Sequence, residues 1–322
     1  MLAYRLASSF LGRNTTRLYS SSHGLGSLPP VDCMRSQLHN AEINVFRERA
    51  FIPQRPLLIT ERQNSDLPSH GTVSTCSIPA ASKWFSTITK PGKTPVVTIS
   101  QYLSSFRHNT SLPYELLEGN RVDSDGLTGL LDQSLEQAPS IRLQRFHAPL
   151  SVFLQAMEMR HRPSIYIAQA QLSDLPKQLQ GDLPTPHLVK EAGKGDVYDA
   201  NLWMGIPPTY TPLHKDPNPN LFVQLASSKR IRLFNPVVGA AIFRHVQSTL
   251  GGSASATFRG NEMMEGPERA ALDEAVWGKV LSRQGFEATV SPGDALFIPK
   301  GWWHTIKSIG PDINASVNWW FR

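Results

Sequence analysis

The sequence predicts a mainly β protein with flanking helices, folded as a double-stranded β-helix, or jelly roll. Two observations carry this expectation. From residue 164 onward, short apolar or β-branched runs recur at close spacing and are broken by Pro, Gly and Asn turns. That is the pattern of a sandwich or barrel, not of strands alternating with long helices. The runs also fall into two sets of four, "DVYDANLWMG", "TPLHKD", "LFVQLA", "KRIRLFNP" and then "FEATV", "DALFIP", "WHTIKSI", "NASVNWWF". A stretch at about 237–283 parts the two sets and reads as an insert at the barrel rim, the arrangement of a jelly roll built from two four-stranded halves.

The elements follow in order. Residues 1–31 carry Arg5, Arg13 and Arg17, many serines and no acid before Asp32, with Leu2, Leu6 and Phe10 on one side of a helical wheel. This composition is that of a mitochondrial transit peptide, and "RLYS" at Arg17–Ser20 gives a cleavage pattern near Tyr19. The leader assigns the mature protein to the mitochondrial matrix. Residues 32–147 form an N-terminal helix and strand region flanking the barrel. Within it, "NVFRERAF" reads as a short helix, "PLLIT" as a strand, "ASKWFSTI" as a helix and "TPVVTIS" as a strand, while residues 108–146 read as polar loop, including the turn-rich "EGNRVDSDGLTG". Residues 148–322 form the barrel domain with its insert. It opens on a helix with Leu150, Phe153, Leu154 and Met157 at helical spacing. A strand "SIYIAQAQL" follows, then a short helix capped by Ser173 or Asp174. The insert is partly helical near "PERAALDEAVWGKVL".

Composition excludes several classes. At 322 residues the chain can bury a sizeable core. No apolar run approaches the ~18 residues of a membrane span. Two cysteines, Cys33 and Cys76, make neither a metal spacing nor a disulfide framework. The net charge of +6 allows a nucleic-acid partner, but there is no run of five or six basic residues to support one.

The chemistry concentrates in three places. In "YTPLHKDPNPNLFVQL", His214 and Asp216 stand two apart at the head of an apolar run, so on a strand they share a face. A lone H-x-D is weak. Its context strengthens it: "SPGDALFIPKGWWHTI" delivers His304 at the start of a later strand, after a tight turn and a buried strand. Two histidines and one carboxylate suit Fe(II), occupy one face of its octahedron and leave positions open for a cosubstrate and O2. One carboxylate against Fe(II) leaves a residual positive charge, which attracts a dianionic cosubstrate. The third place is "SKRIRLFNP". Alternation puts Lys229, Ile231 and Leu233 on one strand face and Arg230 and Arg232 on the other. Lys229 therefore points inward, where a buried ammonium needs an anion to pair with. Trp203, Trp302 and Trp303 read as barrel packing.

Together these pieces resemble the Jumonji-C (JmjC), cupin-like branch of the Fe(II)/2-oxoglutarate oxygenases. The resemblance runs from about Leu150 to Arg322, through "IYIAQAQLSDLP", "NLWMGIPPTYTPLHKDPNPNLFVQL", "SSKRIRLFNP" and "SPGDALFIPKGWWHTI…SVNWWF", and faintly back to "RPLLITE" and "SKWF". Within the branch the chain is similar to small protein hydroxylases of the arginyl-hydroxylase type and to the asparaginyl hydroxylase of hypoxia-inducible factor. The resemblance implies that His214, Asp216 and His304 bind iron. It implies that Thr211, Lys229 and Tyr166 hold the distal carboxylate of 2-oxoglutarate, with Asn220 and Asn318 as pocket asparagines. Strict alternation would put Thr211 opposite His214, so a kink at Pro212 is required. The implied activity is hydroxylation of a protein side chain with release of succinate and CO2. An RNA (tRNA) hydroxylase and a non-catalytic cupin-like binding module are the alternatives, and a homodimer is implied by related enzymes. Many histone-lysine demethylases of the family carry glutamate where Asp216 stands, which points away from histone demethylation. The insert matches no pattern, and as a loop on a rigid scaffold it is expected to select substrate.

Overall fold

The structure, a computed structural model, describes residues 28–62, 77–117, 143–159, 162–251, 266–278 and 284–322. The leader through residue 27, the whole "EGNRVDSDGLTG" stretch and "GGSASATFRG" beyond Gly251 lie outside them. Among the described residues no helix is long and apolar enough to cross a membrane.

Fifteen strands are described. They are β1 (Cys33–Arg35), β2 (Leu57–Thr60), β3 (Phe85–Ile88), β4 (Val96–Ile99), β5 (Ser111–Leu117), β6 (Leu143–Pro149), β7 (Ser164–Gln171) and β8 (Val197–Gly205). Then come β9 (Tyr210–Lys215), β10 (Asn220–Ala226), β11 (Ser228–Phe234), β12 (Gly285–Val290), β13 (Ala295–Ile298), β14 (Trp303–Ile309) and β15 (Asn314–Phe321). One sheet has nine strands in the order β1-β2-β13-β10-β15-β8-β7-β5-β6, and a second has four in the order β12-β11-β14-β9. All pairings are antiparallel except β1 with β2. The eight strands expected from Val197 onward are all present, and they make the jelly roll.

Alternation along the strands assigns three apolar clusters. Leu221, Val223, Val317 and Trp319 project from the outer face of the nine-stranded sheet into a large core with Phe46, Trp84 and Phe153. Phe153 belongs to helix α2 (Leu150–Glu158), and Trp84 to helix α1 (Pro79–Trp84). Phe222, Ile231, Leu233, Leu296 and Ile298 cluster separately, on the faces that the two sheets turn towards each other. A third cluster backs the four-stranded sheet from outside, where Leu213, Phe234 and Trp303 meet helix α3 (Pro236–Thr249) and helix α4 (Gly266–Trp277).

Several local expectations are corrected. "ASKWFSTI" is helix only through Trp84; Phe85–Ile88 then pairs with Val96–Ile99 as a small separate sheet, because aromatic and β-branched residues favour a hairpin over a longer helix. Residues 108–146 are not all loop: β5 and β6 pair over seven residues. Their proline, charged residues and long separation hid the pairing. Ser173 and Asp174 do not cap the next helix; they sit in a short 3-10 turn, and Pro176 holds the N-cap position of Lys177–Gly181. Helix α3 was not anticipated, although its start is well marked: Asn235 accepts hydrogen bonds from the Val237 and Val238 amides at 3.0 and 2.9 Å, with Pro236 at the first position. The described parts of the insert lie on the outer face of the four-stranded sheet, not at the rim. There Gly239 lets α3 close on Trp303; a Cβ would stand 2.1 Å from the indole Cγ.

Candidate metal centre

β9 and β14 are neighbours, and their register sets His214 directly across from His304. Asp216 follows the end of β9 at the turn into β10. The three ligating atoms all lie within 4.8 Å of one another. His214 Nε2 is 3.9 Å from one Asp216 oxygen and His304 Nε2 is 3.7 Å from the other. These distances are too long for hydrogen bonds and leave space between the side chains for an ion.

The tautomers are fixed by the backbone. His214 Nδ1 lies 2.8 Å from the Pro212 carbonyl oxygen, and His304 Nδ1 lies 3.2 Å from that of Trp302. A carbonyl only accepts, so each Nδ1 carries the hydrogen and each Nε2 keeps its lone pair for a metal. Burial, with the His214 ring beside it, pushes the His304 imidazole below its ordinary pKa, which favours the neutral, ligating form. Burial works to raise the Asp216 carboxyl, but attraction to positive charge at the His304 and His214 rings, with hydrogen bonds from Trp320 and Asn220, outweighs it and holds the group ionised; a bound cation would take over that charge and leave both rings neutral. The donor set therefore fits a divalent iron: two neutral imidazoles, one carboxylate, no thiolate.

Thr211 resolves differently from strict alternation. Ile306 faces Thr211 and His304 faces His214, so two steps on β14 match three on β9. This is a β-bulge containing Pro212 and Leu213, and it brings Thr211 and His214 to the same face. The expected kink at Pro212 is thus a bulge, placed where a proline can sit without leaving a ladder donor unused.

Lys229 is 2 % exposed and points inward from β11. Its ammonium donates to the Ser316 hydroxyl of β15 at 2.7 Å and lies 5.3 Å from the Phe222 ring. Among the described residues no carboxylate pairs with it, and burial alone pushes its pKa down to about 7. Arg230 stands outside, half exposed. Arg232 shares that outer face yet is buried: it pairs with Glu287 at 2.7 Å and donates to the Val276 carbonyl at 2.6 Å beneath α4.

The remaining predicted residues divide. Tyr166, Thr211, His214 and Asp216 line a cavity of about 1030 Å3 between β5–β8 and β9. Burial, with the Glu115 carboxylate adding to it, pushes the Tyr166 phenol up, so it remains a neutral donor. Asn220 donates to Asp216 Oδ2 at 3.0 Å, so it orients a metal ligand. Asn318 accepts from the Trp203 indole at 2.5 Å. Trp203 is therefore not simple packing; it lines the cavity beside Tyr166, with ring centroids 6.0 Å apart. Asn201 was missed, although alternation in "DANLWMG" places it with Trp203, and the register sets it across from Asn318. The side-chain oxygens of Asn201 and Asn220 are buried and find no partner among the described residues, as expected where a bound group completes the site.

The family described as a cupin-like domain matches residues 80–322. Among curated proteins, the chain is 30% identical over 160 residues to lysine-specific demethylase 8 of Danio rerio, covering 48% of this chain and 36% of that one. It is 27% identical over 155 residues to lysine-specific demethylase JMJ30 of Arabidopsis thaliana, covering 48% and 33%. It is 30% identical over 158 residues to Jumonji C domain-containing protein 5 of Drosophila melanogaster, covering 48% and 36%. The matched region spans about a third of the length of each relative.

Proposed function

The chain belongs to the cupin-like domain family, and on that premise we propose that it is an Fe(II)- and 2-oxoglutarate-dependent oxygenase that hydroxylates a side chain of a protein substrate. The observation that carries the reading is a pairing of opposites: three converging metal donors, and a fully buried lysine with no acid beside it among the described residues. Bound Fe(II), with 2-oxoglutarate and O2, supplies an oxidation in which 2-oxoglutarate becomes succinate and CO2 and one oxygen atom enters a substrate C–H bond.

The chain's own residues bind and orient. His214, Asp216 and His304 would hold the iron, with Asn220 fixing the carboxylate. Lys229, Thr211 and Tyr166 would take the distal carboxylate of 2-oxoglutarate, and Trp203 with Asn318 would form the adjoining wall. The cavity has the volume of a ligand pocket and is large enough to admit a substrate side chain beside the cosubstrate.

Two of the relatives are named lysine-specific demethylases. On an N-methyl group the same hydroxylation would release formaldehyde, so demethylation and stable hydroxylation differ in what remains on the target. RNA is the second substrate class, which the net charge of +6 permits. Purified protein with Fe(II), ascorbate and 2-oxoglutarate, added to mitochondrial extract and read by mass spectrometry, separates these outcomes. Peptides gaining one oxygen support the proposal. Peptides losing a methyl group, or nucleosides gaining oxygen, would replace it. The matrix address and a homodimer belong to the same proposal; a native N-terminus at Met1 or Leu2, or a monomer in sedimentation, would remove them.

A further inference from the structure

The bulge on β9 puts Thr211 and His214 on one face, and its closure comes from outside the barrel. On β14, Thr305 alone faces Pro212 and Leu213. Proline has no N–H, so the ladder is interrupted at this point. The Thr305 side chain crosses the interruption: its hydroxyl donates to the Thr211 carbonyl oxygen at 2.8 Å. The same hydroxyl accepts from the Trp277 indole N–H at 3.2 Å. Thr305 is fully buried. Trp277, the last residue of α4, is held in turn: the Arg232 guanidinium lies 4.5 Å from its ring centroid and the Lys307 ammonium 4.8 Å. Arg232 is itself fixed by Glu287 and the Val276 carbonyl.

We infer that Thr305 and Trp277 are positioning residues for the site, the insert helix holding through them the β9 bulge that aims Thr211 at the cosubstrate. The inference rests on the reading that Thr211 takes the carboxylate of 2-oxoglutarate and His214 the iron. It assigns the insert a role behind the metal strands. The Trp277 N–H fixes the rotor of the Thr305 hydroxyl, so its single hydrogen goes to the Thr211 carbonyl. Without that hydroxyl the Thr211 carbonyl loses the one side-chain donor that crosses the interruption, and the chain at Thr211 is held less firmly where the ladder skips a residue. Two of the three metal ligands keep anchors outside the bulge, His304 on the Trp302 carbonyl and Asp216 on Asn220, so iron is affected less than 2-oxoglutarate.

The test uses the full chain without oxygen, titrating Fe(II) and then 2-oxoglutarate and following the visible charge-transfer band of the complex. Thr305→Val removes the hydroxyl and keeps the shape. It is expected to weaken 2-oxoglutarate about tenfold, the size of one buried hydrogen bond, with Fe(II) affinity within about threefold. Thr305→Ser keeps the hydroxyl and should restore wild-type binding. Trp277→Phe removes the indole N–H together with one of the two fused rings, keeps an aromatic ring for Arg232 and Lys307, and should weaken 2-oxoglutarate by about threefold; it decides the matter if Thr305→Val does not fold. Wild-type affinity in both Thr305→Val and Trp277→Phe would overturn the inference, as would equal damage in the Val and Ser variants. If the wild-type protein itself bound no Fe(II) and 2-oxoglutarate, the proposed function would fall instead.

Discussion

Lys229 and Arg232 stand three residues apart on β11, both buried, on opposite faces of one sheet. Arg232 is saturated by the protein, with a carboxylate, a carbonyl and an indole ring around it. Lys229 has one neutral hydroxyl and no counter-ion among the described residues. A related contrast separates the outside of this sheet from the inside of the barrel. Outside, Lys307 is paired with Asp273 and Lys215 lies over Trp303. Inside, on β8 and β10 of the facing sheet, the Asn201 and Asn220 side-chain oxygens have no partner among the described residues, and on β9 and β14 two imidazoles present lone pairs to a shared carboxylate. An unpaired buried charge destabilises a fold. The buried cation of the outer face is therefore paired by the protein, although the Tyr210 hydroxyl and the Trp303 indole N–H on that side find no partner among the described residues, and the inner cation is left for what binds there.

The largest expected break is at the metal. His214→Ala should abolish 2-oxoglutarate turnover while the circular dichroism spectrum stays that of the wild type, because the ladder around the site forms without the ring. Full turnover in that variant would remove the site. Next comes the exchange of the two buried cations. Lys229→Ala should weaken 2-oxoglutarate by a few hundredfold to a few thousandfold, the ~3–5 kcal/mol of a broken buried pair, with Fe(II) affinity little changed. Arg232→Ala should do the reverse, lowering unfolding stability by about 2–4 kcal/mol with a much smaller effect on 2-oxoglutarate, since it strands Glu287 beneath the insert. Arg230 lies 3.6 Å from the same glutamate and holds the cost below its upper limit. Denaturant unfolding and anaerobic titration read both; exchanged phenotypes would reverse the strand faces. The smallest effect belongs to Arg230→Ala. Its half-exposed ion pair is worth at most ~1 kcal/mol, and both readouts should stay near wild type.

What could be read from the sequence follows the same division. His214 and Lys229 were legible because each depends on its own strand: a period of two assigns the face, and chemistry assigns the need; Asp216 was legible by its spacing from His214, although it stands just past the end of β9. His304 was legible because a Pro-Gly-Asp turn and a buried strand announce the strand it begins. Thr211 was legible only as a conflict, since a bulge is a relation between two strands and no single segment states it. Asn201 and Trp203 were open to the same alternation argument, but an indole reads as packing until its N–H is seen to meet Asn318. Arg232 was placed on the correct face and its burial missed, because what covers it comes from an insert more than thirty residues on. The β5–β6 pair failed for the reason that long-range pairings generally do: neither strand carries a pattern strong enough to find its partner across a long polar connection.

The central claim, that the inner face holds a lysine waiting for an anion, is tested most directly by proton counting. With a free pKa of about 7, much of Lys229 is neutral above neutrality, and pairing with a carboxylate raises its pKa again. Binding of 2-oxoglutarate is then strongest below pH 7 and falls by about tenfold per unit as pH rises above it, until the pKa of the bound state is reached. Calorimetry of 2-oxoglutarate binding to the Fe(II)-loaded chain at pH 8, in buffers of different ionisation enthalpy, should show uptake of a large fraction of a proton, lost in Lys229→Met. No uptake in the wild type, or the same uptake in the methionine variant, would contradict the account.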